Sequence, residues 1–150
     1  MSVSTDIKTH LMSNVQRCAS VQQVYGHEEI NPSGWPAVMV TAGDMDGEFA
    51  SSSENSRTYS FKILIMFPIT QDLPNLPTGS NRMEYAEQVV ATVIDELINV
   101  LDIDFELDGS DPTVLFVNAS DVVWSYTSGE FGEARSATLN IRVYTEKTVV

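Results

Sequence analysis

The stretch SENSRTYSFKILIMFPIT (residues 53–70) changes character half-way along. From Arg57 to Lys62 polar and apolar residues alternate, the period of a strand with one wet face. From Ile63 to Phe67 every residue is apolar. Tyr59, Phe61, Ile63, Ile65 and Phe67 point one way and Thr58, Ser60, Lys62, Leu64 and Met66 the other, because side chains alternate along an extended chain. Such a strand requires cover along the whole of one face, and at Leu64 and Met66 on the second. A second helix or a neighbouring copy of the chain is expected to supply it.

The flanking segments set the fold class. Residues 5–19 place Ile7, Leu11, Val15 and Cys18 on one helical stripe, with Asp6 near the positive end and Arg17 in the last turn. WPAVMVTAG (35–43) reads as a short strand with Pro36 at its start, where a missing donor does least harm. GDMDGEFASSSENS (43–56) reads as a loop rich in serine, glycine and acid that joins two strands as a long hairpin arm rather than a tight turn. Its one aromatic residue, Phe49, either anchors a neighbouring molecule or folds back onto its own domain.

Beyond the central strand a proline-bearing loop leads to Asn81, a helix cap with Glu84 placed to return the bond. Residues 82–101 then carry Ala86, Val89, Val90, Val93, Leu97, Val100 and Leu101 on one side, long enough at roughly 30 Å to cross a sheet. Two strands close the chain: 113–127, with an irregularity at 118–121, and 134–145, with SGEFGE turning between them. The order α-β-β-α-β-β implies one α+β domain over residues 1–150. Its antiparallel sheet has about four strands in two β-hairpins, and the helices pack on one face. Phe61, Ile63 and Ile65, with Leu139, Ile141 and Val143, form the floor beneath the long helix.

Bulk properties narrow the function classes. A chain of 150 residues with 43% hydrophobic and 19% charged residues is globular, and its longest apolar run is far shorter than the roughly 20 residues of a membrane span. The start, MSVSTD, has neither the basic nor the apolar region of a signal peptide. A lone Cys18 excludes an internal disulfide and fits a reducing compartment. Net charge is −13, a surface that repels phosphate. It serves solubility, or forms a wall past which DNA slides without sticking.

Candidate chemistry is sparse. DFELDGSD (104–111) sets Asp104, Glu106 and Asp108 at positions one, three and five of a calcium loop and Gly109 at six, but Pro112 stands at nine and Leu115 where the bidentate acid belongs. The five acids from Asp102 to Asp111 more simply form a solvated edge or line something negative. His10 and Cys18 sit roughly 12 Å apart along a helix, beyond proton-transfer reach. Two His and one Cys do not complete a zinc site, and no phosphate-binding glycine motif or basic patch is present. Trp124, alternating with Val122 and Tyr126, reads as a packing residue, and Trp35 as a core or subunit contact. Neither catalysis nor a cofactor nor a metal is expected.

The layout resembles the tail terminator and tail-completion proteins of long-tailed bacteriophages. An N-terminal helix and VQQVYGHEE lead into GWPAVMV; an acidic serine-rich arm, NSRTYSFKILIMF, a proline-rich loop, one long helix and two closing strands follow. The departures are the length of the proline loop and the acidity of residues 102–111. The resemblance implies a homo-oligomeric ring, a hexamer in that family, at the head-proximal end of the tail tube. Such a ring ends tube polymerisation, offers the head-joining surface and lets duplex DNA pass unbound. The expected partners are other copies, the tail tube protein and the head–tail connector or neck protein, with no membrane. The expected location is the virion neck, after assembly in the host cytoplasm. Phe49, Leu64 and Met66 are the expected subunit contacts, and Asp102, Asp104 and Glu106 the expected lumen acids. The alternatives are a related connector or tube subunit or, in another class, an acidic ion- or ligand-binding domain.

Overall fold

The computed structural model of the chain describes residues 3–29, 32–49, 54–69, 81–107, 114–129 and 132–148. Its elements are α1 (Val3–Gln16), β1 (Gln23–Tyr25), β2 (Ala37–Phe49), β3 (Glu54–Pro68), α2 (Arg82–Ile103), β4 (Val114–Gly129) and β5 (Gly132–Thr148). The strands form one five-stranded sheet, β1-β2-β3-β5-β4. All neighbours are antiparallel except β1 and β2, which run parallel. The α+β class stands, and four strands become five. The added strand is three residues long, too short for a period-two pattern to show in the sequence.

Residues 43–56 do form a hairpin arm, and a second correction falls on its interior. β2 continues to Phe49 and β3 begins at Glu54, with Met45 opposite Tyr59 and Phe49 opposite Asn55, so the arm is paired strand where its composition predicts loop. Glycine, serine and acid lower strand propensity, but β3 is itself held by β5 as far as Glu54↔Thr148, and that ladder overrides local preference. A register shift between Ala42 and Met45 marks a bulge. Gly43 suits it, because a Cβ there would stand 3.3 Å from the Ser60 carbonyl oxygen.

The core lies under the helices. Phe61, Ile63 and Ile65 pair across the sheet with Ile141, Leu139 and Ala137. Together with Val38 and Val40 they carry the buried faces of both helices: Ala86, Val90, Val93, Leu97 and Leu101 from α2, and Ile7, Leu11 and Val15 from α1. α2 starts where Asn81 Oδ1 accepts the Met83 N–H at 2.7 Å, and it closes where the Asp104 N–H donates to the Val100 carbonyl at 3.0 Å. α1 ends in a tighter turn, with the Arg17 N–H on Asn14 O at 3.1 Å and the Cys18 N–H on Val15 O at 3.0 Å. Two polar ties bind α1 and the turn after it to α2 and its cap. The Asn14 amide donates to Asp104 Oδ2 at 3.1 Å, and the Ser20 N–H and hydroxyl donate to the two Glu96 carboxylate oxygens at 3.2 and 2.8 Å.

The cover over Met66 comes from the chain itself. Met66 is 2% exposed and packs with Met39 and Ala134 against Tyr25, Trp35 and Leu64. The strand-and-turn segment ahead of β2 therefore seals the spot assigned from sequence to a second helix or a neighbouring subunit. Only Leu64 remains half-buried. The physical reason is the parallel pairing of β1, which holds Tyr25 beside Met39 and fixes the path of the chain across the second sheet face.

Candidate functional site

Past this local cover, the second face of the sheet is polar and open. Lys62 on β3 and Arg142 on β5 are exposed beside a depression of about 210 Å³ bounded by Gly43, Ser60, Asp121 and Asn140. Asn140 Nδ2 donates to Asp121 Oδ1 at 3.0 Å. Further along the same face Phe116 stacks on Tyr144, with ring centroids 4.4 Å apart and 27° between planes. At the other end Met39, Leu64 and Met66 floor a depression of about 340 Å³ whose rim carries Glu28 and Glu29.

β4 is one margin of the sheet. It is 16 residues long, contains no proline and only one charged residue, Asp121. Leu115, Phe116, Val123, Trp124 and Tyr126 along it are all exposed. Long edges of this kind present unpaired backbone groups, and proteins ordinarily blunt them with charge, proline or bulges. Here register shifts occur at Val114/Phe116 and Ala119/Asp121, and the Val117 N–H donates to the Phe105 carbonyl at 2.8 Å, closing the rim at that point. At the opposite margin β1 spans only residues 37–39 of β2. From residue 41 to residue 49, β2 has no strand outside it among the described residues.

No family model matches this chain, and no curated protein matches it.

Arg135 organises the far half of the β4 margin. Its guanidinium lies 4.9 Å from the Trp124 ring centroid and 4.5 Å from that of Tyr126. It also donates to the Ser125 carbonyl at 2.9 Å and pairs with Glu87 of α2 at 3.0 Å. Sequence reading finds no basic patch and gives Arg135 no role. The missed signal is its register: it stands two residues before Ala137 on the helix-facing side of β5, directly opposite Tyr126.

The expected site residues separate. Phe49 ends β2 at the tip of the arm, and its side chain lies outside the described residues, as do residues 108–113 of the calcium-like stretch. Met66 is buried and so presents nothing to a neighbour, which removes it from the expected subunit contacts. Asp102 and Glu106 are exposed. Asp104 is not a free lumen acid: it is half-buried, caps α2 and accepts from Asn14, the polar residue inside the α1 stripe.

Cys18 is buried, and its thiol donates to the Asn14 carbonyl at 3.7 Å. Burial, reinforced by the negative charge of Glu96, pushes the thiol up to about 11. At neutral pH this is a packing group and not a nucleophile. His27 Nε2 meets Glu29 Oε2 at 3.1 Å on the surface. Among the described residues no three His, Cys, Asp or Glu side chains stand close enough to share a metal ion, and no helix is long and apolar enough to cross a membrane.

Proposed function

We propose that the chain is a structural, non-enzymatic subunit that assembles with copies of itself into a ring, of the kind that ends the tail tube of a long-tailed bacteriophage and joins it to the head. The observation that carries self-assembly is the sheet margin at β4: sixteen residues of strand with five exposed large apolar side chains and a single charge. A second support is the arm, where β2 runs on to Phe49 without a strand outside it among the described residues. Two unlike margins on one sheet favour head-to-tail contacts, which close into a ring when the rotation between copies is right. The assignment to the tail end rests on layout alone: helix, acidic arm, central strand, proline-rich loop, long helix and closing hairpin. In that setting six copies would carry a charge of −78, a lumen past which duplex DNA slides without being held. The partners would be the tube protein below and the connector or neck protein above.

Light scattering after size exclusion, across a wide range of concentrations, tests the reading. A discrete ring supports it, an open polymer points to a tube subunit, and a monomer at every concentration ends it. In that last case a saturable calcium heat would identify an ion-binding domain. Phe49→Ser at the tip of the arm is expected to weaken self-association with the melting transition unchanged.

A further inference from the structure

Four of the exposed large apolar residues gather at one corner. Ile103 ends α2 and Phe105 lies just beyond it, and Leu115 and Phe116 stand near the start of β4. The Val117 N–H bond to the Phe105 carbonyl ties the segment after α2 to the start of β4. Exposed apolar side chains brought to one corner in this way mark an interaction surface. Its rim is charged with both signs. Asp102 and Glu106 flank the first pair in sequence. On the sheet face beside the Phe116–Tyr144 stack stands Arg142, with Lys62 on the next strand, and neither base joins an ion pair within the described residues.

The position of the acids is itself informative. The last turn of α2 contains no base, and Asp102 sits there against the negative end of the helix dipole. A carboxylate at that point opposes the stability of its own helix, so its use lies elsewhere.

We propose that this corner is the surface by which one copy docks on the next, with Ile103 and Phe105 against the Phe116–Tyr144 stack and Asp102 and Glu106 of one copy facing Arg142 and Lys62 of the other. The occupant is a second copy because the patch supplies both halves of the charge complement. This rests on the self-assembling reading above; because both halves of the complement lie on one corner, the contact is two-fold and joins copies in addition to the head-to-tail contacts that close a ring.

Two charge reversals test it. Asp102→Lys with Glu106→Lys lowers the net negative charge of each copy, so bulk repulsion alone predicts tighter association. The proposed contact predicts looser association, at least tenfold, together with a raised melting temperature from the relieved helix end. Lys62→Glu with Arg142→Glu also loosens assembly, and an equimolar mixture of the two variants restores it. Ile103→Ser, at a side chain 75% exposed, weakens assembly without lowering the melting temperature. If the wild-type chain assembles and the Asp102/Glu106 variant assembles as well or better, or the mixture fails to restore assembly, this surface is overturned while the ring stands. If the wild-type chain is a monomer throughout, both fall.

Discussion

Leu107 holds a left-handed backbone, with φ of 46°, and is fully buried beside the end of α2. That conformation costs a residue with a Cβ roughly 1–2 kcal/mol, whereas burying a leucine contributes about 1.5–3 kcal/mol, so burial outweighs strain. Leu107→Ala is expected to lose about 2–5 kcal/mol in urea denaturation. Leu107→Gly should be no worse than Leu107→Ala, reversing the usual order in regular structure, where glycine is the poorer by roughly 0.5–1 kcal/mol. A glycine variant clearly less stable than the alanine variant would refute the left-handed assignment. Cys18 gives a pH signature. Its folded pKa, about 11, is above the ordinary 9.0, so between these values the folded chain retains a proton that the unfolded chain releases. The contribution is complete below about 9 and disappears as pH rises through about 11. Relative to Cys18→Ala, the native chain should therefore lose stability across that window, and its thiol should resist disulfide reagents at neutral pH until the chain unfolds.

At the scale of elements, the β4–β5 hairpin joins the sheet to α2 through Arg135. Four contacts meet there, with Glu87, the Trp124 and Tyr126 rings and the Ser125 carbonyl, and their magnitudes differ. The ion pair with Glu87 is exposed on the acid's side and is worth about 0–1 kcal/mol, while a guanidinium over two aromatic rings contributes about 0.5–1 kcal/mol per ring. Arg135→Ala should therefore lower stability by about 1–2 kcal/mol and Glu87→Ala by less than about 0.5 kcal/mol. Thermal melts of both variants decide it, and equal losses would shift the weight to the ion pair. The hairpin, its irregularity near residue 120 and α2 to within two residues of its end were legible in the sequence, because each carries several periods of its pattern. β1 was not legible, since three residues of strand hold their place through β2. The strand pairing inside the arm was not legible for a related reason: its composition is that of a loop, and only the β3–β5 ladder makes it strand.

For the whole molecule, charge sets how copies meet. Each carries −13, and exposed ion pairs at a docking corner supply at most about 1 kcal/mol apiece, so at low salt the long-range repulsion dominates. Salt screens it beyond about 10 Å at 0.1 M. Self-association, read by sedimentation or light scattering, should strengthen as ionic strength rises from about 0.01 M towards about 0.1 M. Association that weakens over this range would mean that local ion pairs outweigh net charge.

By itself the sequence determined the α+β class, the two hairpins, the long capped helix and the alternating floor of Phe61, Ile63, Ile65, Leu139 and Ile141. These features repeat a local period, and a period can be read without knowing what lies opposite. Tertiary structure alone decided that Met66 is sealed by Tyr25 and Trp35, that Asp104 belongs to Asn14 and α2, and that Phe105 lies beside Val117. Each of these joins residues distant along the chain, and side chains of the right type to cover a strand face or accept a bond occur at many positions. Which of them arrives is settled by the path of the backbone between them.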